Sequence, residues 1–128
     1  MNADDLRRTK SFALRILKLC AALPNTIEGK TIRGQLARAG TSVGANYRST
    51  CRARSTAEFV ARIGVVEEEA DESGYRLELI IDSAFMARGR VWPLLVEANE
   101  LTRIMARSDF SLSPNAVKSE IGNWKSEM

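Results

Sequence analysis

Arg38, Arg48 and Arg52 are the residues whose type and spacing come nearest to defining a chemistry. On a helix turning about 100° per residue they fall within roughly 80° of one another, opposite Val43. Lys30, Arg33 and Arg54 add charge nearby. A ridge of this kind can track phosphates, and such contacts carry affinity without sequence preference. The alternative is a solvated face whose arginines pair with acids of this chain or of a neighbouring subunit. The sequence alone leaves both readings open.

The acids that could answer this ridge are Glu67, Glu68, Glu69, Asp71 and Glu72. Hard cations favour carboxylates, but consecutive residues fan around a helix rather than converge, so a charged or salt-bridged face is expected instead of a metal site. Glu97 and Glu100 are read in the same way. The chain has no histidine. That removes Ser-His-Asp and Cys-His catalysis and every zinc site that needs imidazole. Cys20 and Cys51 stand far apart and are expected as separate thiols. No cofactor, small-molecule substrate or catalytic residue is expected.

The net charge of +3 conceals an asymmetry. Residues 1–56 carry 11 Lys and Arg against 3 Asp and Glu, a surplus of +8, whereas residues 57–128 carry 8 against 13, a deficit of −5. The two halves must pair with each other or face different partners. The apolar stretch from Phe12 to Leu23 is cut by Arg15 and Lys18. It falls short of the ~20 apolar residues of a spanning helix, so no membrane partner is expected and the compartment is read as cytoplasmic.

Four helical segments must position these residues, in an all-α, antiparallel up-down bundle. The first, about Asp4 to Ala22, repeats Phe12, Ile16, Leu19 and Leu23 on one face. Pro24 ends it. The second, about Thr31 to Arg54, carries Ile32, Leu36, Ala39, Val43, Tyr47 and Thr50 inward and the arginine ridge outward. The third opens on Ser55-Thr56-Ala57-Glu58, a capping box with Ser55 as N-cap. Its seam of Phe59, Ile63, Val66, Ala70, Ser73, Leu77, Ile80 and Ala84 alternates spacings of four and three, as bundle helices do. Gly89 is its expected C-terminal cap. The fourth starts near Trp92-Pro93 and repeats Leu94, Ala98, Leu101, Met105 and Ser108. Residues 1–110 thus form the bundle. Residues 111–128 carry Val117, Ile121 and Trp124 and repeat Lys-Ser-Glu at 118 and 125, which reads as a loosely docked tail.

Two further features point to self-association. Tyr75, Leu79 and Met86 cluster on the third segment opposite its seam, an extra apolar patch that suits a partner surface. Gly40 and Gly44, one turn apart, mark a close approach by another backbone, since each weakens its helix by about 1 kcal/mol relative to alanine. These five residues are the candidate oligomer contacts.

The stretch from Gln35 to Leu79 carries a wider likeness. It runs through Gln35-Leu36-Ala37-Arg38-Ala39, Ser42-Val43-Gly44-Ala45-Asn46-Tyr47-Arg48, Arg52-Ala53-Arg54-Ser55, Glu58-Phe59 and Glu67-Glu68-Glu69-Ala70-Asp71-Glu72. This resembles the bacterial four helix bundle proteins, also called 23S rRNA intervening-sequence proteins, to which the accessory variability determinant of diversity-generating retroelements is related. The resemblance covers about residues 5–108. It implies an up-down four-helix bundle, a homopentameric ring, and binding of RNA or a nucleic-acid-processing partner rather than catalysis. The basic positions of the family pattern fall on Arg38, Arg48, Arg52 and Arg54. Members often carry an acid where this chain has Ser49, so the surface beside Arg48 is expected to differ. The rival expectation is a protein-interaction scaffold in which basic and acidic helices satisfy one another and no nucleic acid binds.

Overall fold

The computed structural model describes residues 3–110, and the expected tail, 111–128, lies outside the described residues. Four helices follow one another: α1 (Ala3–Ala21), α2 (Ile27–Thr50), α3 (Thr56–Asp82) and α4 (Arg88–Phe110). Each packs antiparallel on the next, with α3 holding extensive contacts to both α2 and α4 and α1 meeting α4 along a shorter seam. The seams read from sequence form the interior. Phe12, Ile16, Leu36, Val43, Val66, Leu77, Ile80, Leu101 and Met105 are all fully buried. Burying such faces is what holds a bundle together, because propensity alone seldom sustains a helix of this length.

The helix ends depart from expectation, each for a local reason. α2 starts four residues early because Thr26 serves as its N-cap, accepting the Gly29 N–H at 3.0 Å. Gly29 is needed there, since a Cβ would run into the Pro24 carbonyl. At its other end α2 stops at Thr50, and Arg52 and Arg54 belong to the connection. The capping box of α3 takes over the chain at that point. Ser55 adopts an extended conformation and accepts the Glu58 N–H at 3.1 Å, while Glu58 reaches back to the Arg54 N–H at 3.0 Å.

α3 is shorter than its seam implied, because it ends at a cap that Gly89 does not make. Phe85 N–H donates to the Ile80 carbonyl and Ala84 N–H to that of Ile81, a Schellman pairing with Ala84 at φ 59°. Gly89 lies instead in the first turn of α4, with open space around it. The reversal folds Phe85 and Met86 back onto the core. Met86 is only 9% exposed, so its place in the expected surface patch is corrected. Pro93 sits in the second turn of α4 rather than its first, and cannot donate to the Gly89 carbonyl. Both residues are exposed, which leaves that carbonyl open to water.

A left-handed conformation costs an L-residue roughly 1–2 kcal/mol, and glycine escapes most of it. Ala84→Gly is therefore expected to stabilise the fold by about 1 kcal/mol and raise the melting temperature by roughly 4 °C. Thermal unfolding followed by circular dichroism checks this, and an unchanged or lowered midpoint would contradict the cap.

Candidate nucleic-acid interface

α2 carries the expected ridge, but its neighbours divide it. Arg38 leans over α3, where its Nη2 donates to both carboxylate oxygens of Glu72 at 3.0 and 3.1 Å and its Nη1 lies 3.5 Å from Glu69. The Glu72 hydrogen bond, with Glu69 beside it, raises the Arg38 pKa. Arg76 adds a second cation to Glu72 at 3.5 Å. Two of the five clustered acids therefore answer α2, while Glu68 and Asp71 are exposed. At Arg38 the self-paired reading of the ridge is the one observed.

Arg48 and Arg52 lean the other way, over α1. With Lys10 they border a cleft of about 510 Å³ between α1 and α2. Leu6, Ala13, Ala45 and Cys51 contribute its apolar wall, and Thr9 and Thr41 line it as well. No acid lines this cleft, and among the described residues none pairs with Arg48, Arg52 or Lys10. Three cations around a recess with no acid in its lining, Asp5 lying behind the wall near Cys51 and Tyr47, form an electropositive surface suited to an anion. Burial pushes the Cys51 thiol up, which disfavours the thiolate at the cleft wall.

The remaining basic candidates lie elsewhere. Arg54 is exposed in the connection just beyond Arg52. Arg33 braces the far end of α2, donating to the Pro24 carbonyl at 3.5 Å while its own carbonyl faces the Cys20 thiol at 3.7 Å. Lys30 stands exposed near the start of α2, some 27 Å along the helix from Arg48 at 1.5 Å per residue. Ser49 accepts a hydrogen bond from Arg62, which also donates to Glu58 at 3.0 Å.

The glycine pair serves the cleft's construction, and its assignment to a subunit contact is corrected. A Cβ on Gly40 would meet Ile16 of α1 at 2.7 Å, and one on Gly44 would lie 3.3 Å from the Thr9 carbonyl. Both positions let α1 settle close on α2 within one chain. This close approach is what brings Lys10 beside Arg48, a neighbour that the helix-by-helix reading of the sequence missed. The signal was present in Gly40 and Gly44, once they are taken as the line along which α1 lies.

Of the apolar patch, Tyr75 is 54% exposed under the Arg76 guanidinium, 5.2 Å from its ring centroid, and Leu79 is half-buried. Other exposed apolar residues went unread in the sequence: Leu14 and Leu17 on α1, and Trp92 and Val96 on α4. Arg88 stacks over Trp92 at 4.4 Å. Also unread was the Arg8 bridge from α1 to α4, at 2.7 Å to Glu97 and 3.0 Å to Glu100. Among the described residues no three His, Cys, Asp or Glu side chains gather as a metal site, and no helix is long and apolar enough to cross a membrane.

Comparison with known proteins agrees with this architecture. A solved structure from Bacteroides thetaiotaomicron, a protein with unknown function from the S23 ribosomal protein family, superposes with a TM-score of 0.76 at 29% identity. The match covers 81% of this chain and 96% of that one. No curated protein matches the sequence. Residues 3–107 match the family described as 23S rRNA-intervening sequence protein, a span that takes in all of α1, α2 and α3 and nearly all of α4. With its four-helix architecture and the quoted stretch from Gln35 to Leu79 inside that span, the chain belongs to the 23S rRNA-intervening sequence protein family.

Proposed function

We propose that the protein is a non-enzymatic, homo-oligomeric helical bundle that binds RNA through the cationic cleft between α1 and α2. The observation that carries this reading is the meeting of Arg48, Arg52 and Lys10 around a recess without an acid. The family's description, which names 23S rRNA, makes ribosomal RNA or a nucleoprotein the first partner to try. Arg54 extends the basic surface along the connection, whereas Arg38 belongs to the α2–α3 contact. Two unpaired thiols, Cys20 and Cys51, suit the reducing cytoplasm.

Self-association follows from apolar surface on separate sides of the bundle. Leu14 and Leu17 project from α1, while Tyr75 projects from α3 and Trp92 and Val96 from α4. Two unlike patches that cover each other make a heterologous contact, which gives a ring when the rotation between subunits closes and an open filament when it does not. The pentamer implied by the resemblance is such a ring. Light scattering of the purified protein gives the subunit count.

A protein-interaction scaffold is the second reading, favoured by the pairing of Arg38 with Glu69 and Glu72 and of Arg8 with Glu97 and Glu100. Those pairs satisfy part of the basic half within the chain. A salt titration separates the two readings. If about three phosphates are neutralised, affinity should fall roughly 20-fold for single-stranded RNA and roughly 40-fold for a duplex between about 50 and about 200 mM salt. Protein that purifies free of nucleic acid and binds no RNA at low salt would leave the scaffold standing.

A further inference from the structure

We propose that the α1–α2 cleft accepts one unpaired nucleotide, with phosphate at the cationic rim and base in the recess, so that the protein prefers single-stranded RNA to duplex. This rests on the reading of the cleft as an RNA site and adds which form of RNA it takes. A flat basic surface would serve duplex and single strand alike, because both present phosphates. This surface is not flat. Its recess of about 510 Å³ falls within the range that holds small organic ligands.

The lining of the recess fits a base. Leu6, Ala13 and Ala45 give an aliphatic wall for a flat ring. The Thr9 and Thr41 hydroxyls already donate to the Asp5 and Ala37 carbonyls, at 2.8 and 2.7 Å. Thr9 is buried, so it is the half-buried Thr41 whose oxygen retains a lone pair that can accept a base N–H. Absence of an acid from the lining disfavours a basic peptide, and the three cations call for an anionic group beside the apolar body. A nucleotide joins those two parts. In a duplex the bases are stacked and paired inside, so only phosphates reach Lys10, Arg48 and Arg52 and the recess gains nothing. The wall contains no aromatic ring and no amide, so discrimination among bases should be slight.

The test compares an oligouridylate with an RNA hairpin of matched phosphate number, at one salt concentration, on the full chain. The single strand should bind about tenfold tighter, as expected if the base removes roughly 55 Å² of apolar surface from water. Ala13→Leu with Ala45→Leu fills the recess and leaves every charge in place. That variant should lose the preference, its affinity for the single strand falling about tenfold toward that for the hairpin. Should the pair fold poorly, Ala45→Leu alone, at an exposed position of α2, asks the same question. Equal binding of both RNAs, or a preference that survives filling, overturns the unpaired-nucleotide site. If binding still depends on Arg48 and Arg52, the RNA reading stands without it. No binding of either RNA removes both ideas. A filled variant whose oligomer mass changes while its RNA binding does not would show a second copy in the cleft, and would also overturn the proposal.

Discussion

Replacing Arg48 and Arg52 together by glutamate should abolish RNA binding, whereas Arg38→Glu should leave it within a few-fold. Each lost charge-assisted hydrogen bond to a phosphate is worth about 1.5–3 kcal/mol, so two of them amount to at least ~100-fold before repulsion is counted. The salt dependence that remains should be shallower by about two phosphates. Folding should be untouched, because neither arginine pairs with an acid among the described residues. Arg38 predicts the reverse pattern. Its guanidinium joins Glu69 and Glu72 on α3, and a glutamate there would bring a third carboxylate to that contact. Its cost should appear as a lower melting temperature and not as lost affinity. The contrast uses three arginines of one sequence stripe, and only their partners distinguish them. An Arg38 variant that loses RNA beside an Arg48/Arg52 variant that keeps it would move the binding face to the α2–α3 side.

That stripe shows where sequence reading succeeds and where it stops. The inward faces were legible because burial imposes a period: Phe12 and Ile16, Leu36 and Val43, Leu77 and Ile80 recur at helical spacing and all lie inside. The cap at Ser55 was legible for a similar reason, since Ser and Glu three residues apart satisfy backbone groups that must be satisfied locally. The ends of α2 and α3 were harder to read. Thr26 with Gly29 and the reversal at Ala84 depend on hydrogen bonds whose donors carry no distinctive side chain, and an alanine takes the left-handed cap position that a glycine usually fills. Outward residues were harder still. Projection on a helical wheel places Arg38 and Arg48 on one side, but α3 and α1 flank that side and claim one arginine each. Lys10 belongs to the cleft only because Gly40 and Gly44 let α1 lie close to α2, a relation between helices that neither helix states alone. Met86 failed as a surface residue because the wheel was extended past the true end of α3.

Leu77→Ala is the substitution expected to cost the fold most. Leu77 is fully buried toward the C-terminal end of α3, the helix that packs broadly on both α2 and α4, so shrinking it opens a cavity in the interior. Truncations of this kind cost about 2–5 kcal/mol, the upper part applying where neighbours cannot collapse into the space. Helices already packed closely have little room to follow, as at Gly74, where a Cβ would sit 3.3 Å from the Asn99 side chain of α4. Against a total stability of about 5–15 kcal/mol, such a loss leaves a marginal protein. In urea the midpoint should fall with little change in slope, since the surface exposed on unfolding barely alters. If subunits associate, the loss should shrink as protein concentration rises, because assembly favours the folded chain. Leu77→Met is the control for volume and should cost under about 1.5 kcal/mol. Leu79→Ala is the control for position, two residues along the same helix and only half-buried. A bundle held together by the α3 seam requires the Leu77 truncation to be the costlier of the two. The opposite order would mean that the outward face of α3, sealed in an assembly, contributes more stability than the interior of the single chain.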